Sequence, residues 1–282
     1  MSVKRVFLFA AYDPRGGVDD ALVQYVRALS KFGRVVLVMD NDAQACELQK
    51  LAPYVVHSDG ARHGEYDFGS YKRAYMYARA ARMLRDCDVL YLVNDSVYGP
   101  LRPIGEMLDA MENLDADAFG PVAKPHHDHP HIQSWFIGCR PSVFNAPWFD
   151  EFMTSVTQQP DKGIITKLYE QGFSRRVTEN GGTWKCLMTV PNRGIYNRVW
   201  DLYRRGLPFF KKVAFTRRRG ALGGQILRVL DNVTPTMRRA IIHSARRVYG
   251  AQYVDKTLTR NPLKIMYRNV RHSLHKLLVE GI

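Results

Sequence analysis

Asp95 stands between Asn94 and Ser96, directly after the unbroken apolar run Val89–Val93 and just ahead of the Tyr98-Gly99-Pro100 turn. A carboxylate with a hydroxyl beside it, carried at the end of a buried strand, suits the stabilisation of a negative leaving group, often through a divalent cation held against phosphate oxygens. The same three residues also fit an Asx-type turn before Pro100. Other polar residues repeat this placement. Tyr12 and Asp13 follow the apolar run Val3–Ala11, and Asp40 and Asn41 follow Arg34–Met39. In an open parallel sheet the carboxyl ends of the strands face one crevice, and ligands bind there.

Three further groups could carry chemistry. In GEYDFGSYK, Gly64–Lys72, Gly69 and Ser70 precede a helix expected over Tyr71–Arg85, with Lys72 and Arg73 in its first turn. Free amides at a helix N-terminus with cations nearby attract phosphate, although a Ser or Asp cap with solvated lysines reads equally well. His126, His127, Asp128, His129 and His131 crowd one segment. Adjacent positions in a Pro-bounded loop cannot all converge on one ion, so the cluster reads as a polar, acceptor-side loop more than as a metal site. His131 opens HIQSWF, and Gln133 would follow it into the crevice. Asp161, Glu170 and Glu179 come after the central strands, where a carboxylate could deprotonate a nucleophilic hydroxyl or simply form a surface ion pair. Neither a P-loop nor a GxGxxG pattern is present, which removes most of the support for an NTPase or a dinucleotide dehydrogenase.

The elements that position these residues alternate. Strands are predicted over Val3–Ala11, Arg34–Met39, Tyr54–His57, Val89–Val93, Ala118–Pro121 and Ile132–Cys139. Helices are predicted over Asp19–Phe32, closed by Gly33, over Ile104–Glu112, and over Ile164–Gln171, stopped by Gly172. Strand, helix, strand at the outset is the signature of a parallel α/β sheet. After Pro208 the character changes to two amphipathic helices starting at Thr234-Pro235 and Asn261-Pro262. The first sets Met237, Ile241, Ala245 and Val248 against four arginines, and the second sets Leu263, Met266, Val270, Leu274 and Leu277 against Lys264, Arg268 and Arg271. A domain over 1–220 with a basic helical extension over 221–282 is the expected division.

At 282 residues the chain can bury a full core, and 46% hydrophobic with 24% charged residues is ordinary for a globular protein. Four cysteines without CxxC spacing point to a reducing compartment. The N-terminal apolar run is too short for a signal peptide, and no stretch approaches the roughly 18 residues of a membrane span. A cytoplasmic location is expected. The net charge of +14 is concentrated: from Lys211 onward there are 16 basic residues against three acids, whereas residues 1–210 carry 25 against 24. That distribution argues against a nucleic-acid partner, which would meet basic charge spread over a docking face with reading elements. It suits attachment to an anionic membrane surface, at on the order of 1 kcal/mol per Lys or Arg. Helices packed on the catalytic domain with solvated basic faces are the alternative.

Taken together, VDDALVQYVRAL (18–29), YDFGSYKRA (66–74), VNDSVYGPL (93–101), HIQSWF (131–136), DKGIITKLYEQGF (161–173) and GLPFFKK (206–212) resemble the rhamnan synthesis protein F family over residues 3–215. The resemblance implies a GT-A-like nucleotide-sugar fold. It also implies transfer of rhamnose or a related hexose from a nucleotide-diphosphate donor to a lipid-linked O-antigen or cell-wall glycan, on the inner face of the plasma membrane. Asn94, Asp95 and Ser96 then occupy the place of an Asp-x-Asp motif, with Asn first and Ser last. A divalent cation, Mg2+ or Mn2+, becomes a candidate cofactor with Asp95 as its ligand. On this reading Tyr12, Asp13 and Asp40 lie near the nucleotide, and Asp67, Ser70 and Lys72 near ribose and diphosphate. His131 and Gln133 face sugar or acceptor, and Asp161 stands where the family tends to keep a glutamate.

Overall fold

The computed structural model describes residues 3–125, 129–217, 220–267 and 270. His126, His127 and Asp128, together with Arg268, Arg271, Leu274 and Leu277, lie outside the described residues. The described residues divide into two compact units, the first formed within 3–18, 22–96 and 104–192 and the second within 19–21, 97–103 and 193–270.

In chain order the elements are β1 (Arg5–Ala11), α1 (Asp20–Ser30), β2 (Gly33–Met39), α2 (Ala45–Leu48), β3 (His57–Gly60), α3 (Tyr66–Ala80), β4 (Val89–Asn94) and β5 (Val97–Tyr98). There follow α4 (Gly105–Glu112), β6 (Ala118–Lys124), β7 (His131–Ile132), β8 (Phe136–Cys139), α5 (Pro141–Phe144) and α6 (Pro147–Thr154). Next come α7 (Lys162–Ile165), a π turn over Thr166–Glu170, α8 (Gln171–Glu179), β9 (Trp184–Thr189), α9 (Gly194–Asn197), α10 (Val199–Arg204) and β10 (Phe210–Lys211). After a 3-10 turn, Lys212–Thr216, the chain forms α11 (Gly220–Leu230), α12 (Pro235–Tyr249) and α13 (Ala251–Thr257).

The sheet of the first unit runs β3-β2-β1-β4-β8-β6-β7, with β9 also paired to β6. β1 to β4 are parallel, as is β9 on β6, whereas β8 is antiparallel to both its neighbours and β7 to β6. The expected α/β class with a mostly parallel central sheet is therefore what the chain adopts. Alternate residues of β1 face opposite sides, as strand geometry requires. Val6, Leu8 and Ala10 enter a core with Phe68, Phe149, Phe152 and Phe173, while Phe9 meets Tyr25 of α1, ring centroids 5.1 Å apart. At the amino end of the sheet the Arg5 guanidinium donates two 2.7 Å bonds to Glu112, and the Tyr91 hydroxyl donates a third, 2.6 Å long. Both charged partners are about nine-tenths buried, so each supplies the compensation the other's desolvation requires.

Several predicted boundaries move. The third strand is His57–Gly60, because Tyr54 closes a turn onto Leu51 O and only Val56, bonded to Val35 O, leads into the ladder. α3 begins at Tyr66, so Gly69 and Ser70 lie inside the helix and do not precede it. Strand Ile132–Cys139 is two strands broken by Gln133–Trp135. Gly172 does not stop a helix, since α8 runs on through it to Glu179. β9, α6, α11 and α13 have no counterpart among the predicted elements.

The second unit contains the antiparallel ribbon β5–β10 and a core of Tyr98, Phe210, Phe215, Leu222, Ile226, Ile241 and Ala245. By compactness this unit takes in residues 193–216 as well, since Val199, Phe210, Ala214 and Phe215 join its core. The Phe215 ring packs against Tyr98 at 5.8 Å and Tyr249 at 6.1 Å. α12 starts where Pro235 predicts, with the Thr234 hydroxyl accepting the Met237 N–H. Met237, Ile241 and Ala245 are buried as expected, but Val248 is 40% exposed. Arginines 238, 246, 247 and 260 are paired with Asp231, Asp255 or Asp19. Residues 262–267 are helical, and Leu263, Met266 and Tyr267 are each more than 60% exposed.

Candidate functional site

Parallel pairing aligns the ends of the first, second and fourth strands. Ala10 sits opposite Asn94, and Ala11 opposite Met39. Beyond the ladders the alignment is extended by single bonds: the Asp95 N–H donates to Ala10 O, the Asp40 N–H to Ala11 O, and the Asn94 N–H to Trp135 O. The segments carrying Tyr12–Asp13, Asp40–Asn41, Asn94–Ser96 and Gln133–Trp135 are thus tied together at the carboxyl edge of the sheet.

A chain of side chains joins them to α3. The Asn94 amide donates to Asp67 Oδ2 at 2.9 Å, while its Oδ1 accepts both the Ser96 N–H, at 3.1 Å, and the Ser96 hydroxyl, at 2.6 Å. Tyr71 donates its hydroxyl to Ser134 O at 3.0 Å. Burial, and then the Asp67 charge, push the Tyr71 phenol well above its ordinary pKa. Burial and the Asp95 charge do the same to Tyr25. Asp95 therefore sits close enough to a buried phenol for its charge to be felt, on a half-buried part of the edge.

The other carboxylates organise loops. Asp13, 4% exposed, accepts the N–H groups of Arg15 and Gly17 through Oδ1, and its carbonyl accepts the Asn41 side-chain amide. Asp40 Oδ1 accepts the N–H groups of His63 and Gly64. Tyr12 is 56% exposed. Gln133 is nearly buried and gives its backbone N–H to Val122 O.

The remaining candidates are engaged elsewhere. Ser70 is buried and bonds His63. Lys72 donates its ammonium to Val156 O at 2.8 Å. His131 is buried with Nδ1 2.8 Å from His129 O. Asp161 is exposed, and its Oδ1 accepts the N–H groups of Gly163 and Ile164 at the start of α7. Among the described residues no three His, Cys, Asp or Glu side chains are grouped to hold a metal ion.

Sequence reasoning gave no role to Tyr25, Tyr71 or His63. Each is a buried polar group within an otherwise apolar or glycine-rich segment. Only their burial marks them, and helical spacing sets Tyr71 on one face with Ala74, Tyr75 and Ala78.

Residues 35–276 match the family described as Rhamnan synthesis protein F. The match extends through α12 and α13, so the basic helices fall inside the family's extent and not beyond it, as the resemblance over residues 3–215 had suggested. "Uncharacterized protein y4gN" of Sinorhizobium fredii is 25% identical over 162 residues, covering 56% of this chain and 42% of that protein. The chain thus matches less than half the length of that curated relative. A solved structure from Desulfovibrio desulfuricans G20, provisionally described as a nucleotide-diphospho-sugar transferase, is similar at 14% identity. It has a TM-score of 0.42, over 95% of this chain and 99% of that one.

Proposed function

The chain belongs to the rhamnan synthesis protein F family, and from that premise we propose that it is a glycosyltransferase. It moves rhamnose or a related hexose from a nucleotide-diphosphate donor to a lipid-linked O-antigen or cell-wall glycan. The observation that supports this most is the bonding of Asp67, Asn94 and Ser96 into one chain beside Asp95, at the carboxyl edge of parallel strands. Tyr12, exposed at the end of β1, offers a flat face to a nucleobase. In the reaction the acceptor hydroxyl oxygen bonds the sugar's anomeric carbon. The carbon–oxygen bond to phosphate breaks, the nucleoside diphosphate leaves with the electron pair, and the hydroxyl proton passes to a base. Asp161 and His131 are the proposed candidates on the acceptor side.

The electrostatics favour a divalent cation. Asp13, Asp40, Asp67 and Asp95 share the edge, whereas Arg62, Lys72 and Arg73 of the adjoining segment are bonded to Asp42, Val156 O and Glu65. A diphosphate entering there meets several carboxylates, while those three cations are already bonded to other groups. Mg2+ is commonly held by one or two carboxylates plus substrate phosphates, a donor set that Asp95 fits without a third protein ligand. When bound it would neutralise the departing diphosphate.

Nucleoside diphosphates of several bases, tested by thermal shift on the full chain with and without Mg2+, should raise the melting temperature by several degrees at saturation. A ligand at 100 times its Kd stabilises by about 2.7 kcal/mol. No shift with any of them, together with no hydrolysis or transfer from their sugar conjugates, would defeat the reading.

The same proposal places the protein at the inner face of the plasma membrane. Among the described residues no helix is long and apolar enough to cross a membrane, but Leu263, Met266 and Tyr267 are exposed on the helical segment 262–267 together with Lys264. Full-length protein should float with anionic vesicles at low salt and be released at high salt. A Leu263→Ser/Met266→Ser variant should float less. Salt-insensitive flotation, or none, would remove the membrane part alone.

A further inference from the structure

The turn between β3 and α3 is held in an unfavourable conformation. Gly64 has φ +69°, which glycine accepts, but Tyr66 has φ +58°, a left-handed geometry that is unfavourable for a residue with a side chain. Tyr66 is 44% exposed, so its own packing does not account for it.

The constraint converges on His63. Its backbone N–H and that of Gly64 donate to Asp40 Oδ1, at 2.8 and 2.9 Å. Its Nδ1 accepts the Glu65 N–H at 3.1 Å, and its Nε2 lies 3.0 Å from Ser70 Oγ. Since the Glu65 N–H points at Nδ1, that nitrogen carries no proton, and the single ring proton sits on Nε2 and is donated to Ser70. The side chain is 2% exposed. On the far side Arg73 bonds Glu65 at 2.6 Å and Gly69 O at 3.0 Å. Two residues beyond Glu65 lies Asp67, the anchor of Asn94 and Ser96.

We propose that His63 is a positioning residue: as a neutral imidazole it locks the Gly64–Tyr66 turn between Asp40 and α3, and so holds Asp67 where it fixes Asn94 and Ser96. What that chain is held ready for rests on the donor-site reading above; the lock itself does not.

Protonation releases the lock. A second ring proton would sit on Nδ1, facing the Glu65 N–H. The groups around the ring act in both directions. Asp40, with Oδ2 3.6 Å from Nδ1, and Glu65 favour the cation, Arg73 and Lys72 oppose it, and burial outweighs them, so the pKa falls below its ordinary 6.5. The folded state therefore favours the neutral ring. As pH drops through 6.5 the unfolded chain takes up its proton first. Stabilisation by the lock is complete above that pH and is lost progressively below it.

The test is amide hydrogen exchange on the ligand-free full chain, at about pH 7.5 and about pH 5.5 and corrected for intrinsic rates, in parallel with nucleoside diphosphate thermal shifts. His63→Ala should raise exchange across residues 64–67 and at Ser96 by about 10-fold, with β1 and β2 unchanged. His63→Asn keeps an acceptor for the Glu65 N–H and cannot titrate, so it should preserve most of the protection and make it independent of pH, whereas wild type loses it on acidification. Wild-type exchange in His63→Ala would overturn the lock. An acid-dependent loss in His63→Asn equal to wild type would overturn the neutral-imidazole account. Should His63→Ala not fold, the pH dependence of His63→Asn against wild type decides alone. Local loosening in a protein that binds no nucleoside diphosphate would uphold the lock and defeat the donor reading instead.

Discussion

Asp95→Asn is expected to fold normally and to lose sugar transfer by at least about 100-fold in kcat, the scale on which removing one preorganised electrostatic contact at a developing charge acts. The fold survives because the bond that places residue 95 is the backbone N–H to Ala10 O, which does not depend on the side chain, and because Asn matches Asp in shape. The buried Tyr25 loses one of the two influences that raise its pKa but keeps the larger, burial, and so stays protonated. What disappears is the carboxylate charge that would face a diphosphate or the cation on it. A 100-fold loss corresponds to about 2.7 kcal/mol of transition-state stabilisation. Single-turnover transfer from saturating donor, beside a thermal melt, reads both halves. Undiminished turnover would take Asp95 out of the mechanism, and a collapsed melt would make it a folding residue.

That edge was legible because each of its strands is a simple apolar run that ends in polar residues, and parallel topology gathers such ends whatever lies between them. Val6–Ala11, Val35–Met39 and Val89–Val93 are buried throughout, as strands covered on both faces must be. What was not legible depended on contacts between segments. Gly69 and Ser70 look like a helix start, yet they lie within α3. A side chain at Gly69 would strike Glu65 and His63, and Ser70 is buried as the partner of His63. Their small size serves close approach and not capping. Gly172 misled for a different reason, since it lies inside α8, just past the π turn over Thr166–Glu170, where the helix continues without needing its small size. Ile165, Tyr169 and Phe173 recur four residues apart and are all buried, a spacing that a wider i→i+5 turn keeps on one face better than an α-helix does. β9 escaped because it is short and Leu187, 37% exposed, interrupts the alternation that Trp184, Cys186 and Met188 otherwise keep on the inner face. Tyr71 fits a core residue by periodicity, and only the fold shows its hydroxyl beside Asp67 and Ser134.

Phe68→Ala should be the most damaging single change to stability near the site, lowering it by about 3–5 kcal/mol. The ring is 1% exposed. It stacks on Tyr169 at 5.6 Å and meets Tyr71 at 5.4 Å and Phe152 at 6.1 Å edge-on, so truncation opens a cavity that three large rings cannot close without leaving their own contacts. Position 68 also lies between Asp67 and Gly69, so slack in the packing of α3 passes directly to the carboxylate that holds Asn94. Donor affinity should therefore fall even well below the melting temperature, whereas Phe68→Leu, which refills most of the space, should retain most of both. Urea unfolding with an unchanged m-value would isolate the stability term. A loss under about 1 kcal/mol would show that this ring is not a keystone of the core. Unchanged donor affinity in a destabilised Phe68→Ala would show that Asp67 is placed by the hydrogen bonds at the turn and not by the packing beneath it.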